Sequence, residues 1–402
     1  MLPQSTRLRA ALAGPSFLLA ALAICIAITF QILLPVVPVI VERGGPAGAA
    51  GAATAALFLG AVSGELSTPW LLSRWRSTHL LVAGMTLTAI ISLVYLSPHA
   101  PKWAMIGGAT ARGFGMGVAI VVSVALVSEL SSPHRRGAAI GYYGLAISAP
   151  GIFVPSIGVF LLAAGRPDVA AMIACTFAAA GALLALRIPN RPAHVTDGST
   201  NVLAAIKRPG MLAILAAYIL TSLSFGGVVT FAPIALPLEG LGSAAAFLLV
   251  SGAARSLGRW LGGLIGDRRP PRLVMIGGIL ASLAGLVALP LHGGALLVLF
   301  AAVAYGSGYG VAQTAAFLAM TQRGTAADTG AISALWNGGI DLGAALGGAV
   351  IGLAAARYGY TSAAWVLPAA VFASVPLFLL PAPRAQAVDG ARQRLGAPPA
   401  EL

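Results

Sequence analysis

Charge is what this sequence has least of. Only 9% of its 402 residues are Asp, Glu, Lys or Arg, and 58% are apolar, whereas a soluble domain carries roughly a quarter of its residues charged to cover its surface. Water is therefore excluded as the main solvent. Acids are scarcer than bases, 11 against 24, which leaves a formal charge of +13. That surplus forms no basic patch interleaved with aromatics, the footprint of a nucleic-acid partner; Lys and Arg punctuate apolar runs instead. Cysteine is limited to Cys25 and Cys175, far apart and inside apolar runs, which excludes a redox pair and gives no ligand set for a metal. His79, His99, His134, His194 and His292 fall in loops or at helix ends, and no carboxylate cluster has catalytic spacing. No metal and no cofactor are expected, and an enzyme or a receptor built on these spans is only a remote alternative.

What is abundant is long apolar runs. Twelve stretches of roughly 19 to 27 residues are each long enough to cross a ~30 Å hydrocarbon layer. They fall at about 16–41, 48–72, 79–97, 103–127, 138–164 and 169–187, then at about 210–236, 243–265, 273–291, 294–321, 329–355 and 362–381. The first follows Arg7 and Arg9 like a signal peptide, but its apolar pattern continues to Val41, so it reads as a retained span. The expected fold is an all-α polytopic membrane protein. Its divisions are a six-helix half over 1–187, a cytoplasmic linker over 188–208, a second six-helix half over 209–382, and a mobile cytoplasmic tail over 383–402. Short loops holding Arg74, Arg76, Arg135, Arg136, Arg268, Arg269 and Arg323 alternate with loops holding only Arg43, Lys102, Arg166 and Arg357. By the positive-inside rule both termini lie in the cytoplasm.

The halves repeat. A shift of about 193 residues lays Arg112-Gly113-Phe114-Gly115-Met116-Gly117-Val118-Ala119 over Tyr305-Gly306-Ser307-Gly308-Tyr309-Gly310-Val311-Ala312. A shift of about 194 lays Gly64 on Gly258, Arg74 on Arg268 and Gly84 on Gly278, and one of about 195 lays Phe30 on Phe225 and Pro38 on Pro233. Three matches in the same order at nearly one offset describe two parallel repeats.

These features resemble the major facilitator superfamily. Gly263-Leu264-Ile265-Gly266-Asp267-Arg268-Arg269-Pro270-Pro271-Arg272 is similar to its G-x-x-x-D-R-x-G-x-R signature, with Pro270 in place of Gly, while the first-half copy has Ser73 where the Asp is expected. Arg112, with Ser131-Ser132-Pro133-His134-Arg135-Arg136-Gly137 after it, resembles a second family motif. Ala149-Pro150 and Val154-Pro155-Ser156-Ile157-Gly158 resemble in part the motif of its drug/proton antiporters. The resemblance implies two pseudo-symmetric six-helix bundles, alternating access and no enzymatic activity. It also implies a latch made by Asp267, Arg268 and Arg272, and a functional Arg112 facing a central cavity.

Of the charged residues, only Glu65, Arg112, Arg255, Arg259 and Asp341 lie well inside spans. A charge at mid-span costs about 2.5–3.5 kcal/mol on insertion scales, so each needs a partner or a wet cavity. Asp341, Arg112 and Glu65 are the candidates for proton coupling, with Asp341 first to test. Arg255 is a cation that can pair with Asp341 or with an anionic substrate. Arg259 occupies the repeat position of Glu65, which suggests a charge network near the cytoplasmic gate. Gln31, Tyr305, Tyr309, Gln313, Trp336 and Asn337 are candidate cavity residues; Tyr305 and Tyr309, four apart, share a helical face. The expected function is export of a small organic compound, drug-like or a secreted metabolite such as a siderophore, in exchange for protons across a bacterial inner membrane. One copy of the chain would suffice. Proton-coupled import of a sugar, carboxylate or vitamin is the nearest alternative.

Overall fold

The structure, a computed structural model, describes residues 15–97, 100–131, 136–189, 202–237, 240–291, 293–325 and 328–379. The tail over 383–402, residues 190–201 of the linker and residues 132–135 of the loop after span 4 lie outside these. Among the described residues the regular structure is entirely helical. The first half comprises α1 (Pro15–Leu33), α2 (Val36–Arg43), α3 (Ala49–Leu72), α4 (Ser77–Ser92), α5 (Lys102–Leu130), α6 (Arg136–Ser148), α7 (Val154–Ala163) and α8 (Pro167–Ala185). The short α9 (Val202–Ile206) leads into the second half: α10 (Met211–Ala235), α11 (Ala244–Gly266), α12 (Pro271–Ala288), α13 (Gly294–Thr321), α14 (Thr329–Tyr358), α15 (Tyr360–Ala363) and α16 (Val366–Leu379).

Among the described residues eleven spans are long and apolar enough to cross a membrane. Helix α11 is long enough at 23 residues, but Arg255 and Arg259 dilute its apolar run; the expected twelve is reached only by counting it. Among the spans interrupted by a turn, two are broken where the chain lacks a helical hydrogen bond or a side chain. Pro35 separates α1 from α2, and a 3-10 turn over Ala149–Ile152, containing Pro150 and Gly151, separates α6 from α7. Large apolar side chains such as Leu66, Trp103, Leu296 and Leu353 point outward, each more than 70% exposed. That pattern suits lipid, which gains nothing by hiding them.

Small residues set the helix contacts, and these contacts repeat along with the sequence. In α5, Gly113 and Gly117 lie against the carbonyls of Leu57 and Ala61 in α3; in α13, Gly306 and Gly310 lie against those of Ser251 and Arg255 in α11. Gly84 faces the Gly115 carbonyl as Gly278 faces that of Gly308. Each pair in the first half maps on its counterpart by the shifts of about 193 and 194 residues. The repeat is thus physical: the same backbones approach at the same places because a Cβ at either glycine would strike them.

Each half has its own core. The second is continuous, from Met211, Tyr218 and Phe247 to Ile279 and Tyr309. The first divides into a cluster around Leu22, Met85, Met116 and Leu126 and another around Leu33, Val36, Tyr95 and Val154. A smaller cluster straddles the seam, joining Leu34, Leu57, Phe58 and Ala109 to Val229, Ala344 and Ala345. The halves close most tightly at the end carrying Glu42. Gly48, with φ 87°, and Gly51 abut Gly352 and Gly348 of α14 backbone to backbone. Thr54 and Thr230 share a buried hydrogen bond of 2.6 Å, and Ser156 donates to the Ala245 carbonyl at 2.8 Å. At the same end Glu42 accepts from the backbone N–H of Gly48 and Ala50, at 2.9 and 2.8 Å, and from the Tyr360 hydroxyl of the second half.

Candidate functional site

A cavity of about 30 Å³ lies midway along the spans, where both broken and unbroken helices of the two halves meet. It has room for a water or two. Gln31 and Gly151 come from the first half, and Phe225, Arg255, Tyr305 and Tyr309 from the second. The break in span 5 shapes it: a Cβ on Gly151 would lie 2.9 Å from the Gln31 Nε2 and 3.2 Å from the Arg255 Nη2. Glycine there lets an amide and a guanidinium converge without either having to shift. The opposite wall is an aromatic ladder in which Phe225 stacks on Tyr309 and Tyr309 on Tyr305, each at 5.9 Å. Arg255 caps it, its guanidinium carbon 5.1 Å from the Phe225 ring centre. A cation–π contact of this kind contributes about 0.5–2 kcal/mol, less than the roughly 2.5–3.5 kcal/mol that a mid-span Arg costs.

Beyond the ladder a polar cluster surrounds Arg259, which lies 5.6 Å over the Trp336 ring. The Tyr218 and Tyr309 hydroxyls, the Ser222 hydroxyl and the Gln313 Oε1 face one another, yet none makes a hydrogen bond of full geometry. The Tyr305 hydroxyl, with Ser224 nearby, likewise makes no hydrogen bond of full geometry. Trp336 is fixed by its Nε1 donating to the Gln313 carbonyl at 2.9 Å and by stacking on Tyr218.

The two acids inside the spans meet each other. Glu65 of α3 and Asp341 of α14 face each other within interaction range across the seam between the halves. Two carboxyls so placed favour holding one proton between them, because two neighbouring carboxylates repel. Asp341 is also within electrostatic reach of Tyr309, which ties the pair to the cavity wall.

The structure therefore brings together Gln31, Arg255, Tyr305 and Tyr309 around one cavity, with Arg259, Gln313 and Trp336 beyond its aromatic side. Glu65 faces Asp341, while Arg259 lies over Trp336. Arg112 is elsewhere: 1% exposed, it donates from Nη2 to the Thr29 and Phe30 carbonyls at 2.7 and 2.8 Å, stapling α5 to α1. Asn337 is exposed and donates to the Ser333 carbonyl of its own helix at 3.0 Å. Asp267 and Arg268 are exposed at the end of α11, and Arg272 lies near Arg323, whose Nη1 donates to the Gly210 carbonyl at 2.8 Å. At that same basic end Arg208 pairs with Asp328 at 2.5 Å. The Thr325 N–H and hydroxyl, with Arg208, hold the Asp328 carboxyl below its ordinary range. Sequence reading missed Gly151, Glu42 and Tyr360. Gly151 had a local signal, the Pro-Gly at mid-span; the Glu42–Tyr360 contact, 318 residues apart, had none.

The profile of the Major Facilitator Superfamily matches residues 19–336. No curated protein matches the sequence closely enough to count as a relative. Among solved structures, a mutant of the nucleoside transporter NupG is similar at a TM-score of 0.71 and 13% identity, over 91% of this chain and 99% of that one. A D-xylose-proton symporter is similar at 0.71 and 14%, over 92% and 97%. The human organic anion transporter MFSD10 (TETRAN) is similar at 0.61 and 15%, over 94% and 100%. At such identities these likenesses concern the fold alone. With the profile covering most of the chain and the two-half architecture in place, the protein belongs to the Major Facilitator Superfamily and is a secondary transporter of that type.

Proposed function

We propose that this chain exports a small organic compound, drug-like or a secreted metabolite, in exchange for protons across a bacterial inner membrane. Its basic end, with both termini, faces the cytoplasm. The observation that carries the reading is the Glu65–Asp341 pair, one carboxyl from each half, facing each other across the seam. While the halves touch there, the pair shares a proton. When they part, each carboxyl meets water and the shared proton is free to leave. Proton binding is thereby tied to the rocking of one half on the other around a mid-span site.

The contacts that would open in the outward phase are those at the Glu42 end: Glu42 with Tyr360, Thr54 with Thr230, and Ser156 with the Ala245 carbonyl. Protons would enter the pair from outside in that phase and leave to the cytoplasm in the other, while the compound moves the opposite way. The test is retention of a panel of fluorescent organic compounds in cells expressing the chain. Retention of at least one compound falls on expression, and dissipating the proton gradient restores it. Uptake that instead rises on expression would overturn export in favour of import.

A further inference from the structure

We propose that the central site recognises organic anions, compounds with an ionised acidic group and a flat apolar body; this rests on the transporter reading above and names the class of its substrate. The cavity wall holds a cation and hydrogen-bond donors but no carboxylate. Arg255 and Gln31 approach the same point from opposite halves, across the space that Gly151 leaves open. The Arg fork matches the geometry of a carboxylate, sulfonate or phosphate group. Among the described residues no ion pair joins Arg255 or Arg259 to an acid, and each rests over an aromatic ring instead. The two acids in the spans face each other and do not line the cavity.

Two further features point the same way. The Tyr305 and Tyr309 hydroxyls, on side chains 4% and 0% exposed, make no hydrogen bond of full geometry, with Ser224 beside the first and Ser222 and Gln313 beside the second, and can donate to an anion. Apart from Ser251, whose hydroxyl donates to the Leu248 carbonyl at 3.3 Å, the rest of the lining is apolar, with Leu34, Val228, Val229 and Leu248 beside the Phe225 ring, a surface for a ring system rather than for a sugar's hydroxyls. The cavity holds only water-sized volume in this closed arrangement, so the compound enters as the halves part.

The probe is naphthalene-2-sulfonate, which stays charged at all working pH, compared with its neutral sulfonamide and with naphthylmethylammonium of opposite charge. Thermal shift on the purified chain should show stabilisation by the sulfonate and none by the other two. Arg255→Gln should weaken the sulfonate about tenfold to hundredfold, Arg255→Lys less, and Gln31→Leu by a smaller factor. Should Arg255→Gln fail to fold, the Lys and Leu variants carry the comparison. Stabilisation by the amine or the sulfonamide as strong as by the sulfonate would overturn the assignment. So would full sulfonate affinity in the Arg255 variants, or no sulfonate binding to the wild type. Flux of radiolabelled probes into proteoliposomes separates the two readings. Sulfonate that binds through Arg255 but never crosses would sink the transport reading and leave the anion site. Amine flux without sulfonate binding would do the reverse.

Discussion

Replacing Gly113 by Ala tests whether the glycine seams hold each half together. The new Cβ would overlap the Leu57 carbonyl oxygen and lie 2.9 Å from the Ala61 nitrogen, both backbone atoms of α3. Ordinary contact begins at 3.4 Å. Relief of the second contact alone therefore needs a 0.5 Å separation (3.4 minus 2.9), and the first needs more. No flexible side chain is available to yield, so whole helices must part. Overpacking of this kind costs about 1–3 kcal/mol, here near the upper end. The gain in helix propensity on replacing Gly, about 1 kcal/mol, offsets part of it and leaves roughly 1–2 kcal/mol of destabilisation. Gly306→Ala, at the equivalent place against Ser251, should behave alike. Gly107 on the same α5 has nothing within 4 Å of its would-be Cβ, so Gly107→Ala should keep the propensity gain and stabilise. Unfolding titrations with SDS in mixed micelles rank the three. Equal stability of Gly113→Ala and Gly107→Ala would refute the seam as the origin of the repeat.

Other outcomes follow from the polar contacts. Asp341→Asn keeps a hydrogen-bond donor for Glu65 but removes the second carboxyl with which Glu65 shares its proton; with one proton per cycle the wild type can concentrate its substrate about tenfold per pH unit, and in proteoliposomes with clamped potential the variant should reach no gradient at all, so a tenfold gradient in it would remove Asp341 from coupling. Tyr360→Phe removes a donor from Glu42 at the closed end. A hydrogen bond to a charged group contributes about 1.5–3 kcal/mol, so populations open at that end should rise about tenfold or more, read as modification rates of a Cys placed at Thr54; an unchanged rate would count against the latch. Asp328, held below its ordinary value by Thr325 and Arg208, contributes stability above about pH 3.9 that fades as pH falls through its lowered value. Asp328→Asn should accordingly be less stable than wild type near neutrality and converge with it in acid, as followed by unfolding between neutral and acid pH; a constant difference would exclude titration of Asp328 as the cause.

Much of the fold was legible because lipid imposes simple rules. A span must be long and apolar, and the exception, α11, departs from them through Arg255 and Arg259, two of the residues that surround the site. Gly113 and Gly306 announced the repeat because only Gly permits backbones to touch, a constraint that leaves its mark at a fixed offset. The candidate site was legible in part. Arg255, Tyr305 and Tyr309 stood out as costly or polar groups at mid-span, and they do share a wall. Arg112 stood out for the same reason, yet its guanidinium is spent on the carbonyls of Thr29 and Phe30. Depth in the membrane is written in the sequence; the direction in which a side chain points around its helix axis is set by which helix lies next to it.

The sequence by itself therefore determined solvent, helical spans and internal symmetry, since each follows from composition or spacing along one chain. Only the tertiary structure decided the pairings: Glu65 with Asp341 and not with Arg259, Glu42 with Tyr360, and Gln31 beside Arg255 over Gly151. Each joins residues of different halves, and such contacts depend on how two separately formed bundles dock, a relation that no local pattern encodes.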